Sequence, residues 1–133
     1  MIKYIATPGI RSDSQGDGHF GSPRGGRTHR GIDFDIPPGC ELFAPVSGEV
    51  NKIGYAYGDD LRWRYIQIRD EQDLNWRIFY VKPDVSVGDN VMKDVDPIGV
   101  SDDISSRYPG MTPHIHLEIK DGHKYLDPGT VIS

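Results

Sequence analysis

The sequence predicts an all-β fold, and three observations lead there. Sixteen glycines and ten prolines punctuate 133 residues, which favours short strands joined by tight turns over long helices. Apolar residues alternate with polar ones in several short runs, the pattern of strands with one buried face. No stretch long enough for an ordinary helix keeps a helical apolar period. Hydrophobic residues make up 36% and charged residues 26%, enough for one globular domain over residues 1–133 with its own core.

Residues 7–31 hold seven glycines and two prolines, so residues 1–26 are expected to form a glycine-rich arm. Strand signals follow. Val46 to Ile53 alternates loosely, and Trp63 to Ile68 and Trp76 to Val81 flank a charged turn from Asp70 to Asn75, a β-hairpin pattern. Val85 to Val91 carries a Gly88-Asp89 turn, and Pro97 to Val100 is a short apolar run. His114 to Ile119 alternates cleanly, and Lys120 to Lys124 is expected to turn.

A formal net charge of -5 leaves no basic field, so nucleic acid is not an expected partner. No apolar run could span a membrane, and the first residues lack the apolar core of a signal peptide. The expectation is synthesis in the cytoplasm and a monomeric chain. Cys40 is the single cysteine. It allows no internal disulfide and reads as a small residue in a turn after Gly39.

The strand His114-Ile115-His116-Leu117-Glu118-Ile119 puts His114, His116 and Glu118 on one face, with the aliphatic residues facing the core. Two imidazoles ~6.6 Å apart along a strand can share a metal or divide ligand and base roles. Standing alone, such residues are more often exposed polar groups. His29-Arg30-Gly31-Ile32-Asp33 is the second element. Gly31 and the following Pro37-Pro38 disfavour a helix, so a strand or loop bent at Gly31 would bring His29 and Asp33 inward. Two histidines and a carboxylate are a common ligand set for a catalytic zinc with an open position. One cysteine excludes a thiolate zinc site, and the segments offer too few oxygens for calcium.

An ordered series of short motifs runs from residue 27 to residue 128. It comprises Arg27-Thr28-His29-Arg30-Gly31-Ile32-Asp33, Pro38-Gly39, Phe43-Ala44-Pro45 and Ser47-Gly48-Glu49-Val50. Phe79-Tyr80, Val87-Gly88-Asp89-Asn90-Val91, Ile98-Gly99, Pro113-His114-Ile115-His116-Leu117-Glu118-Ile119 and Asp127-Pro128 follow. This series resembles the lysostaphin/LytM-type zinc endopeptidases of bacterial cell walls. The resemblance implies the LytM fold, also called the duplicated hybrid motif: antiparallel sheets in a sandwich or barrel with a zinc site in a groove. It implies zinc held by His29, Asp33 and His116, with His114 as the catalytic general base. The implied substrate is a peptidoglycan peptide, and a phage or cell-wall lytic enzyme (an endolysin) is one setting, acting after release or delivery to the wall. Metal retention is expected to fail below the histidine range, about pH 6.5.

The family usually has Tyr-x-His where this chain reads Tyr80-Val81-Lys82. Lys82 offers a positive donor to an oxyanion on a flexible stem. Phe79 to Pro83 and Tyr108 to Met111 resemble the leukocyte cell-derived chemotaxins, secreted signals that share the fold and zinc site. That likeness implies an alternative, a catalytically inactive zinc-containing binding module. Among the other residues, His19 could fold over the groove, His123 reads as a surface residue, and Asp35 as the end of a strand. Glu118 is a candidate partner that orients an imidazole. Trp63, Trp76, Tyr65 and Phe79 read as packing residues.

Overall fold

A computed structural model describes residues 30–128 and four short strand segments before them. The segments are Ser12–Asp13 (β1), Gly16–Asp17 (β2), Pro23–Arg24 (β3) and Arg27–Thr28 (β4), with β1 paired to β2 and β3 to β4, both antiparallel. The rest of the expected glycine-rich arm lies outside the described residues. Next come Ile32–Asp35 (β5), Glu41–Phe43 (β6), Gly48–Tyr55 (β7), Arg64–Arg69 (β8) and Asn75–Phe79 (β9). Val81–Pro83 (β10), Asn90–Val91 (β11), Pro97–Ser101 (β12), His114–Asp121 (β13) and Lys124–Leu126 (β14) complete the series. Among the described residues there is no α-helix, and a 3-10 turn spans Ile104–Ser106. None of their helices is long and apolar enough to cross a membrane. The expected all-β class, built of antiparallel sheets, is what the chain adopts.

The β8–β9 hairpin forms where the alternation places it. Ile66 faces Ile78 and Ile68 faces Trp76 across the pair, and all four are buried. Asp70 organises the turn between them. Its carboxylate accepts hydrogen bonds from the Gln72 and Leu74 amides at 2.9 and 3.0 Å and from the Trp76 indole at 2.9 Å. The rings of Tyr65 and Phe79, also register partners, pack at 4.9 Å with a 31° tilt.

The main sheet runs β11-β7-β8-β9-β13. One edge of β13 pairs with β9; the other is shared end to end, β5 along His114 to Leu117 and β14 along Ile119 to Asp121. A second sheet of order β10-β12-β6 completes the fold. Ile115, Leu117 and Ile119 of β13 are fully buried in a core with Val50, Ile66, Ile68, Ile78, Leu42 and Ile98.

The structure departs from the sequence reading in three places. Strand β13 continues to Asp121, so the expected turn contracts to Gly122-His123 and Lys124 already pairs in β14. From Val85 to Val91 only Asn90 and Val91 pair, because Ser86 to Asp89 closes a turn with Gly88 at φ 102°. The run Trp76 to Val81 breaks at Tyr80, which takes a φ of 70° and passes the chain from the main sheet into the second.

Candidate metal centre and active site

The register of β5 on β13 builds the site. Asp33 lies directly opposite His116, and Asp35 opposite His114. This close pairing depends on Gly31, just before β5: a Cβ there would sit 2.1 Å from the Leu117 carbonyl oxygen and 3.0 Å from Cε1 of His116. Sequence reading assigned Gly31 a bend. Its stronger role is to let two backbones meet beside an imidazole.

His114 and His116 are buried, at 3% and 8% relative exposure, rather than solvated polar residues on an open strand face. Phe79 and Tyr80 cover them. The Phe79 ring lies edge-on to His116 at 5.3 Å, and Tyr80 lies edge-on to His114 at 5.5 Å.

Nδ1 of His116 stands 2.7 Å from Oδ1 of Asp33, and Nε2 stands 3.0 Å from Oε1 of Glu118. Carboxylates only accept, so without a metal both ring nitrogens carry protons and donate. Burial works against that charge, but the hydrogen bonds and charges of Asp33 and Glu118 outweigh it and push His116 up to about 9. His114 donates from Nδ1 to the Thr112 carbonyl at 2.8 Å. That bond leaves Nε2 as the basic nitrogen of the neutral ring, 3.7 Å from Oδ2 of Asp33.

Among the described residues no group of three His, Cys, Asp or Glu side chains is arranged to hold a metal. His29, the remaining expected ligand, lies outside the described residues, as does His19. Asp33 and His116 fit a zinc ion in donor type, with Nδ1 and Oδ1 2.7 Å apart. Tetrahedral zinc would hold two such donors about 3.3 Å apart, a small opening of the observed contact. Glu118 adds the outer carboxylate that typically fixes the tautomer of a ligating imidazole.

Lys82 is exposed on β10, next to buried Val81. Its charge acts on Asp102, a buried carboxylate that Arg62 holds at 2.8 Å. Burial disfavours the Asp102 anion, yet Arg62, the Asp103 amide and Lys82 together keep its pKa below the usual carboxylate value. Sequence reading missed an aromatic cluster beside His114. Tyr57 meets Tyr80 hydroxyl to hydroxyl at 3.1 Å, and Arg107 lies 3.8 Å over the Tyr57 ring. Burial, reinforced by Tyr108, pushes Tyr57 up to about 12. The sequence shows Tyr80 in a strand run and Tyr57 and Tyr108 in separate segments, with no spacing that joins them. The remaining expectations can be located: His123 is exposed in its turn, Cys40 is buried, and Trp63, Trp76 and Tyr65 are buried packing residues.

The sequence model of Peptidase family M23 matches residues 27–128, and the chain belongs to that family. It therefore carries a metallopeptidase-type domain. An uncharacterized metalloprotease of Haemophilus influenzae is 25% identical over 105 residues, which cover 79% of this chain and 21% of that relative. The chain thus spans only about a fifth of that protein. Leukocyte cell-derived chemotaxin-2 of Mus musculus is 30% identical over 112 residues, 80% of this chain and 69% of the relative. Among solved structures, the antimicrobial peptidase lysostaphin from Staphylococcus simulans superposes with a TM-score of 0.69 at 24% identity. That match covers 91% of this chain and 49% of lysostaphin. A mutant catalytic domain of the prophage-encoded M23 protein EnpA from Enterococcus faecalis gives 0.68 at 20% identity, covering 94% and 92%. These structural likenesses establish the fold.

Proposed function

We propose that this domain is a zinc-dependent endopeptidase that hydrolyses peptide bonds in the stems or cross-bridges of bacterial peptidoglycan. The observation that supports it most is the pairing of Asp33 with His116 across two strands, with Nε2 of His114 3.7 Å from the other carboxylate oxygen. In this reading His29, Asp33 and His116 hold the ion, which when bound supplies Lewis acidity to the scissile peptide. His114 is the general base. Its Nδ1 proton is occupied by Thr112, so Nε2 takes a proton from the attacking water and returns it to the leaving amine. Phe79 and Tyr80 shield the imidazoles from bulk water.

A second reading, a zinc-containing binding module without turnover, is favoured by Lys82 in place of the usual histidine and by the 30% identity to chemotaxin-2. Digestion of purified cell walls, both glycine-bridged and directly cross-linked, separates the two when released muropeptides are read by mass spectrometry. The endopeptidase releases new amino termini, and His114→Ala abolishes the release while keeping its zinc. Lys82→Met then lowers turnover by about 10² if the lysine steadies the oxyanion. Wall binding by the zinc-loaded protein without any new terminus would instead support the binding module.

A further inference from the structure

We propose that Tyr80 is a positioning residue for His114, held through its hydroxyl by Tyr57 and, behind it, by an Arg107–Tyr108 clamp. The proposal rests on the reading of His114 as the base. In an unbroken strand, neighbours such as Phe79 and Tyr80 would point to opposite faces. Here both rings meet imidazoles, Phe79 at His116 and Tyr80 at His114. The positive φ of Tyr80, 70°, is what turns its ring to that side.

The other two described non-glycine residues with positive φ are Asp73 and Asp94, short polar side chains that tolerate this region. A tyrosine does not adopt it readily, and such backbones persist only where the surroundings enforce them. Two backbone bonds do so: the Tyr80 amide donates to the Arg64 carbonyl and the Asp102 amide to the Tyr80 carbonyl, both at 2.9 Å.

The hydroxyl end is fixed separately. The Tyr57 and Tyr80 rings stack at 6.5 Å with an interplanar angle of 15°, and their hydroxyls bond at 3.1 Å. Arg107 donates from Nε to the Tyr108 hydroxyl at 3.1 Å and from Nη1 to Asp60 at 3.3 Å, while covering Tyr57. Trp63 also packs against Tyr80, near-perpendicular at 6.3 Å. The loop after β7 and the segment before β13 are thus tied together beside the base. The Thr112 carbonyl fixes which nitrogen of His114 carries the proton, and the Tyr80 ring, near-perpendicular to the imidazole at 5.5 Å, adds a steric restraint on its orientation. Small displacements of a reacting group cost rate steeply.

The test uses zinc-loaded protein, steady-state kinetics on a wall peptide, and NMR of the histidine ring signals. Tyr80→Phe keeps the ring and cuts the tie to Tyr57; Tyr57→Phe cuts the same tie from the other end. Each is expected to lower kcat about 3- to 10-fold at unchanged KM and zinc content, and the double variant no further, since one bond is lost in all three. Tyr80→Leu should lower kcat further. Unchanged kcat in Tyr80→Leu, or independent losses that multiply in the double variant, would overturn the proposal. Should the wild type cleave nothing, that failure counts against the endopeptidase reading alone and the NMR arm decides this one. His114 signals that move or broaden in Tyr80→Phe and Tyr57→Phe, which both keep the Tyr80 ring, support positioning, and signals that stay put in both overturn it.

Discussion

Gly31→Ala should be among the most damaging single-methyl additions this domain can receive. The new Cβ would lie 2.1 Å from the Leu117 carbonyl oxygen and 2.9 Å from its carbon. An ordinary carbon–oxygen contact is about 3.3 Å, so β5 and β13 would have to part by about 1.2 Å. A ladder bond of ~2.9 Å would then exceed 4 Å and cease to exist. One or two buried backbone bonds lost at about 1–3 kcal/mol each give a destabilisation of about 1–6 kcal/mol. The same shift pulls Asp33 off His116, so zinc content should fall with stability. Urea denaturation in chelator and elemental analysis after zinc loading read the two effects. Gly58→Ala, with nothing within 4 Å of its Cβ, is the control and should stay within about 0.5 kcal/mol of wild type. Gly39→Ala, also in open space but at φ 80°, should cost about 1–2 kcal/mol from the backbone alone. A Gly31→Ala protein that unfolds with the Gly58→Ala protein and keeps its zinc would refute the argument.

Zinc content should approach about one ion per chain, fall sharply in His29→Ala, Asp33→Ala and His116→Ala, and survive in His114→Ala; full occupancy in the His116 variant would overturn the ligand assignment. The raised His116 pKa, about 9 against about 6.5 unfolded, makes a signed prediction for metal-free protein. Its stabilisation is complete below about pH 6.5 and is lost as pH rises through about 9, at most about 3 kcal/mol. Denaturation in chelator at pH 6 and pH 10 should reveal it, and His116→Gln should lack it. Zinc binding runs the other way, since Nδ1 must be bare. Affinity should rise with pH up to about 9, well beyond the histidine range expected from sequence, with about one proton released at pH 7 in calorimetry across buffers. Glu118→Gln should weaken zinc binding about 10- to 100-fold in competition with a chelating dye; unchanged affinity would deny Glu118 its orienting role.

The parts of this molecule most legible in sequence are those where side-chain alternation and burial coincide. Ile115, Leu117 and Ile119 are fully buried because a period of two forces them to one face. Asp70 closes the β8–β9 turn by the same local chemistry that marks it in sequence. Strands β6 and β10, three residues each, are too short to display a period, and β10 contains Pro83. The covering of His114 by Tyr80 was not legible either, because it depends on Tyr80 leaving the strand geometry that its neighbours obey. Likewise, no spacing rule brings Tyr57, Tyr80 and Arg107 together. Their meeting is set by which loops the sheet order makes neighbours.

Asp33 and His116 touch across 83 positions of sequence, and that separation gives an ion between them a second meaning. Cys40 is the chain's single cysteine, so no internal disulfide can cross-link it. An ion gripping both residues would close a loop comprising most of the domain, and the chain-entropy relation for cross-links assigns such a closure ~4–5 kcal/mol. The metal would then act as a clasp as well as a reagent, and metal-free chains would be the first to unravel and to be degraded.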